Sequence, residues 1–322
     1  MKKFPLKSFN VDFNWYEGKA APPDLFVECD PKKLVEWYKG MHVNNFWTFG
    51  TTYNGYAWYD SRLAPKAVGL RRDFLAETVE LGHQAGMEVF AYTCLGDNGM
   101  LISRKPEIAR VDETMYRLPL TEWYLDYFCG ICAEIVRHAP VDGIVIDWFR
   151  YPQNRRSRWI PEERELFRQQ MGEAISEDAE LPRDVLEEYE RRCLEHAWRR
   201  ISRVLHGEYH VKIWTNQPFE KADDPIWNGN ILLNEADYVL NECPDFSLLS
   251  WIASQAGEDT MVVQNLCGWA GHRLDELQSI DLNRYGLFGF AAADAETCLP
   301  EERTSAVNYK NIEIIREFYN KT

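Results

Sequence analysis

Residues 142–152 read DGIVIDWFRYP, a run of apolar β-formers that ends on Asp147 and passes at once into Trp148, Phe149 and Arg150. An ionised carboxylate is costly to bury unless it is paired or used, so a buried strand gains nothing in packing by finishing on one. At the carboxyl end of a parallel strand, such an acid faces the place where α/β folds hold their ligands. A second acid, Glu242, closes the apolar run YVLNE that begins at Tyr238. Two carboxyl groups facing one pocket can hydrolyse a glycosidic bond. One stabilises or attacks the cationic sugar carbon, and the other protonates the leaving oxygen. In a chain with 51 acidic residues such pairs also arise structurally, and Glu242 is open to a reading as the ion-pair partner of Arg150.

The elements that must position these groups follow from hydrophobic periodicity. Eight β runs are expected: Val11–Trp15, Val43–Gly50, Glu88–Cys94, Gly143–Trp148, Val211–Asn216, Tyr238–Glu242, Met261–Leu266 and Gly286–Ala293. Helical patterns separate them: Pro31–Lys39 with Asp30 as N-cap, Arg72–Gln84, Glu122–Arg137, Phe246–Ser254 and Glu301–Tyr319. Strand and helix alternating about eight times, over somewhat more than the ~250 residues usual for such barrels, predicts an α/β chain. The fold class is a (β/α)8 TIM barrel in a single domain, residues 1–322, with a long, highly charged helical insertion after strand four. A doubly wound open sheet is the competitor, but Tyr16-Glu17-Gly18-Lys19 stands where a dinucleotide fold would place its Gly-rich turn.

Side chains alternate along a strand, so Asp147 shares a face with Val145 and is expected in the barrel mouth. The other polar and aromatic residues near strand ends complete the expected site. Asp12, Asn14, Tyr92, Asp97, Arg150, Asn216 and Gln264 would bind hydroxyls, and Trp15, Trp47, Trp58, Trp148, Trp214 and Trp269 would offer ring faces to sugars. His272 is the one histidine expected near the mouth. No cofactor or metal is expected: the remaining histidines lie in helices, near helix ends or ahead of strands. Lys212 begins its strand and is expected at the bottom, away from Schiff-base chemistry. The turn Cys267-Gly268-Trp269-Ala270-Gly271 is a poor phosphate loop.

Composition narrows the partners. A net charge of -15 opposes nucleic acid and anionic membranes, and no stretch approaches a membrane span. A neutral carbohydrate suits the abundant aromatics, and the charged insertion could serve as an oligomer contact, so a homo-oligomer is possible. The start MKKFPLKSFN lacks an apolar h-region, so a cytoplasmic protein is expected, or a secreted one if a signal peptide has been removed. The eight cysteines, scattered singly apart from Cys129 and Cys132, read as buried free thiols.

The run NGYAWYDSRL, Asn54–Leu63, followed by RRDFLAETVELGHQAGMEVFAYTC, resembles the α-L-fucosidase-like barrel glycoside hydrolases and the little-characterised glycoside hydrolases related to them. The resemblance covers most of residues 9–152 and thins afterwards to the level of the fold. It implies that Asp147, ending the fourth strand, is the nucleophile. By strand order and similarity to α-galactosidase-type barrels it implies Glu242 as acid/base. Where fucosidases carry histidines after strand two, this chain has Thr51, Thr52 and Tyr53, so the resemblance does not imply fucose itself. The C-terminal β-sandwich of that family is not expected either. The expected activity is hydrolysis of an α-linked sugar with retention, which needs the carboxyls about 5–5.5 Å apart. A gap of about 6.5–9.5 Å would mean inversion, with Asp147 as base. Two alternatives stand beside it: a carbohydrate-binding barrel without activity, and a non-glycosidic lyase or isomerase with a metal near Asp147 and His272.

Overall fold

Short apolar runs bounded by polar turns give eight parallel strands: β1 (Lys7–Asp12), β2 (Asn45–Phe49), β3 (Glu88–Cys94), β4 (Gly143–Asp147), β5 (Lys212–Gln217), β6 (Tyr238–Asn241), β7 (Met261–Asn265) and β8 (Gly286–Ala292). Each pairs with its sequence neighbours, and β8 pairs with β1, so the sheet closes into a barrel. This is a computed structural model, and it describes residues 5–14, 23–111, 116–151, 158–217, 219–243, 246–266, 277, 279–294, 297–300 and 306–322.

The expected eight-stranded architecture is present, with β1 displaced. It runs from Lys7 to Asp12 rather than from Val11 to Trp15, because Ser8 and Asn10 occupy interior positions and disguise the strand as a polar segment. The Ser8 hydroxyl donates to Asn45 Oδ1 at 2.7 Å across the barrel wall. Parallel pairing keeps registered residues on one side, so the interior can be followed around the wall: Asn10 beside Phe290, Trp47 beside Phe90, Cys94 beside Asp147, Trp214 beside Tyr238. Aromatic rings fill the middle. Trp47 packs on Phe288 and Trp214, with centroids 4.2 and 5.2 Å away, and Trp214 stacks on Tyr238 at 4.7 Å. This plug closes the barrel beneath its mouth, as side-chain layers do in this architecture.

Helices cover the outside. Helix α1 (Pro31–Gly40) opens on Asp30, which accepts from Lys32 N, and α2 (Phe74–Gln84) opens on Asp73, which accepts from Ala76 N. A short α3 (Gly99–Arg104) and α4 (Glu122–His138) lie between β3 and β4. The insertion after β4 forms α5 (Pro161–Met171) and α6 (Arg183–Ser202), the latter prolonged as a wider-turned helix through Tyr209. Its solvent face is laced by ion pairs such as Arg192–Glu188, while Tyr189, Cys193, Leu194 and Trp198 are buried. Helices α7 (Ile231–Glu235), α8 (Leu249–Gln255) and α9 (Ala306–Lys321) complete the layer.

Two matching clamps fasten the amino-terminal side of the barrel. Asp142, just before β4, takes Val89 N and His83 Nε2 on one carboxylate oxygen, each at 2.8 Å. Asp237, just before β6, takes Ile213 N and His206 Nε2 in the same way, again at 2.8 Å. Between them Lys212 Nζ donates to Glu88 Oε1 at 3.0 Å, at the bottom as expected.

The cysteines need one correction. Cys94, Cys129, Cys132 and Cys193 are buried and free, Cys243 is free and half-buried, and Cys267 lies outside the described residues, but Cys29 and Cys298 form a disulfide. They are 269 residues apart in sequence, a distance at which spacing carries no sign of pairing. The barrel brings them together by setting the loop after β1 beside the loop after β8.

Candidate active site

Asp147 stands at the carboxyl end of β4, on the interior face, and is 8 % exposed. The neighbouring strands β3 and β5 supply its donors. Tyr92 OH donates to Oδ2 at 2.6 Å, and Asn216 Nδ2 donates to Oδ1. Burial pushes the Asp147 carboxyl above its ordinary value, while Tyr92, Asn216, the Trp148 amide and the Arg150 charge pull against that rise. Burial beside the Asp147 charge holds the Tyr92 phenol far above its usual range, so it remains a hydrogen-bond donor.

Glu242 follows β6, two strands away, and is partly exposed. Burial of its carboxyl, then the charge of Asp147, raise its pKa to about 8; Arg150 opposes this and Asp12 adds to it. The two acids therefore sense each other, and the site treats them unequally. Asp147 is held by oriented donors that favour the anion, whereas Glu242 sits among other carboxylates and keeps its proton at neutral pH. Asp12, 3 % exposed at the end of β1, contributes to the negative field and accepts from Asn14 N at 3.0 Å.

One side of the rim is built around Trp148. This residue has φ +51, the left-handed region that a bulky side chain seldom occupies. Arg150 lies over its indole at 4.2 Å, and Tyr53 meets it edge-on at 5.5 Å. Tyr53 is fixed at both ends: its N–H donates to Asn14 Oδ1 at 2.7 Å and its hydroxyl to Asp97 Oδ2 at 2.8 Å. Alongside, a cleft opens between Arg150, Tyr151, Glu190 on α6, and Glu220, Asp224 and Trp227 after β5.

The structure thus brings together Asp12, Asn14, Tyr92, Asp97, Asp147, Trp148, Arg150, Asn216 and Glu242. It places four other expected residues elsewhere. Trp47 and Trp214 belong to the aromatic plug, 3 % and 0 % exposed, because they lie mid-strand and not at strand ends. Trp58 is sealed among Phe13, Phe26, Phe49 and Phe74 outside the mouth. Gln264 faces the helices, where Asn241 Nδ2 donates to it at 2.8 Å. Its neighbour Asn265, in register with the interior Phe288, has the inward position and donates to the Glu242 carbonyl at 3.3 Å. Trp15, Trp269 and His272 lie outside the described residues. Tyr53 and Asn265 were not among the residues expected to bind substrate. Strand parity counted from Phe288 would have found Asn265, but no local pattern marks Tyr53.

Residues 30–148 match the model of a family described as hypothetical glycosyl hydrolase 6, a segment that ends one residue after Asp147. No curated protein matches the chain at the sequence level. Among solved structures, the α-L-fucosidase isoenzyme 2 of Paenibacillus thiaminolyticus superposes with a TM-score of 0.72 at 18% identity, covering 98% of this chain and 49% of that one. A maltogenic α-amylase from Thermotoga neapolitana gives 0.53 at 12% identity, over 99% of this chain and 77% of the other. An α-L-fucosidase from Lactobacillus casei gives 0.51 at 9% identity, over 98% and 95%. The chain spans about half the length of the Paenibacillus enzyme. At these identities the likeness is one of fold. The resemblance to α-L-fucosidase-like glycoside hydrolases read from the sequence is borne out at two levels, a matching glycosyl hydrolase segment and the barrel shared with fucosidases and an amylase.

Proposed function

We propose that this protein is a glycoside hydrolase acting on an α-linked sugar with retention, Asp147 attacking the anomeric carbon and Glu242 serving as acid/base. The observation that carries this reading is a pair of mutually sensing carboxyls on one barrel mouth, Asp147 gripped by the Tyr92 and Asn216 donors and Glu242 with its pKa raised to about 8. A carboxyl whose oxygens are held by fixed donors suits a nucleophile, and a neighbour with its pKa raised to about 8 suits the acid that must protonate the leaving oxygen. In the second half of the reaction the deprotonated Glu242 would take a proton from water, which opens the glycosyl ester on Asp147.

The rest of the site fits this division of labour. Asn216 Oδ1 has no hydrogen-bond partner among the described residues, leaving an acceptor for a sugar hydroxyl beside the nucleophile. Arg150 balances the excess of acid, and the cleft it shares with Glu190 and Trp227 gives a leaving group room to extend. The fucosidase names of the structural relatives do not extend to the sugar bound here. Thr51, which stands where the resemblance would call for imidazole, is buried and bonded to the Thr93 hydroxyl at 2.8 Å. Among the described residues no helix is long and apolar enough to cross a membrane. Of the two expected locations, the Cys29–Cys298 bridge supports export, since disulfides persist in oxidising compartments.

The test is a screen of aryl α- and β-glycosides, beginning with α-L-fucoside and α-galactoside, on wild type and Asp147→Asn. For a cleaved substrate, NMR identifies the first anomer released. Cleavage of an α-glycoside with retention, abolished by the substitution, supports the proposal. Equal rates in both proteins, or no turnover of any glycoside, overturn it, and an inverted product changes Asp147 from nucleophile to base.

A further inference from the structure

We infer that Gly96 and Tyr53, which the catalytic reading leaves unused, are positioning residues that set the Trp148 indole as the platform for the apolar face of the sugar. The inference rests on the glycosidase reading, and three independent observations converge on it. The backbone of Trp148 is in the left-handed region, so its ring is directed by a conformation that its own side chain disfavours and that the surroundings must enforce. Gly96, in the loop after β3, lies so close that a Cβ there would stand 2.8 Å from both Trp148 Cβ and the Trp148 carbonyl oxygen. No larger residue fits without moving the indole. Tyr53 then packs against the ring at a steep angle, and is itself immobilised by Asn14 and Asp97.

The consequence is a ring fixed before substrate arrives, adjacent in sequence to the nucleophile, with the Arg150 guanidinium over one of its faces so that a sugar would take the other. A pre-set aromatic face favours a pyranose that turns a continuous patch of C–H groups toward it, and it disfavours a sugar with an axial hydroxyl on that side. Because the ring grips ground state and transition state alike, a shift of the ring should appear mainly in KM.

The experiment uses the α-glycoside cleaved by wild type and the variants Gly96→Ala, Tyr53→Phe and Tyr53→Leu, with melting temperature followed in each. In parallel, binding of the parent sugar to Asp147→Asn alone and to Asp147→Asn with each change is measured by calorimetry. The expected result is a KM about tenfold higher in Gly96→Ala and Tyr53→Leu with kcat within about threefold, and a parallel loss in sugar affinity. Tyr53→Phe, which keeps the ring edge but loses the bond to Asp97, should raise KM less than Tyr53→Leu. Wild-type KM and affinity in Gly96→Ala and Tyr53→Leu overturn the inference while leaving the glycosidase reading intact, and so does a fall in kcat that merely follows lowered stability. If wild type neither cleaves nor binds any sugar, the glycosidase reading fails and this inference with it.

Discussion

The two ends of the barrel use the same residue types to opposite effect. At the amino-terminal end Asp142 and Asp237 each receive a backbone N–H and a histidine on one oxygen, and Glu88 receives the Lys212 ammonium. Acid and donor are matched there, and the contacts fasten neighbouring strands. At the carboxyl end Asp147 and Glu242 share one mouth, with Asp12 and Arg150 both acting on Glu242, which responds by holding its proton to about pH 8. Pairing acid with donor stabilises a fold, whereas crowding carboxyls into one mouth raises one of them to a value that chemistry can draw on.

Four substitutions test that contrast. Asp147→Asn removes the attacking oxygen and should lower kcat/KM at least ~10³-fold, ~4 kcal/mol of transition-state stabilisation, while the protein stays folded; steady-state kinetics and circular dichroism check both. Glu242→Gln should cost roughly 10²–10⁴-fold on substrates with poor leaving groups and less on activated aryl glycosides. It should also change the pH behaviour. The native carboxyl titrates far above its unfolded value, so it penalises folding as pH rises from about 4.5 to about 8, and general-acid activity falls over the upper part of that window. The variant should lose the alkaline limb and melt several degrees higher than wild type at pH 9, with no gain at pH 4.

Tyr92→Phe withdraws one donor from the Asp147 carboxylate and should lower kcat roughly tenfold. Its acid limb should move to higher pH, because the anion loses support. At the opposite end Asp237→Ala leaves Ile213 N and His206 without their acceptor and should cost about 2 kcal/mol, a melting shift of roughly 3 °C, with KM and kcat unchanged. If Asp237→Ala proved catalytically crippled and thermally neutral, the division between the two ends would collapse.

Much of this was legible in the residues. Glu88–Cys94 was read to the residue, and Asp147 was found because an apolar run that stops on an acid is a signal confined to a few neighbours. Helix α1 was legible for the same reason, since Asp30 bonds within its own first turn, and α2 was expected from Arg72 where it begins at Phe74. What failed depended on a third dimension. Ser8 and Asn10 look like loop residues until the barrel interior accepts them, and Gln264 and Asn265 differ only by which side of one strand they occupy. Trp58 and Trp148 are equally aromatic, and both follow strands on the carboxyl side. Only packing shows that one is entombed and the other faces the rim.

Around most of the barrel, neighbouring strands are also successive in sequence, so the chain itself limits how far they can part. The seam between β1 and β8 is different, for there the wall is closed by strands from opposite ends of the polypeptide. The bridge from Cys29 to Cys298 falls at this seam and turns a linear chain into a covalent hoop with a sequence separation of 269. An unfolded hoop has far fewer arrangements than an unfolded thread, worth on the order of 5 kcal/mol by chain entropy alone. Oxidation therefore supplies the one connection that the order of the strands leaves out.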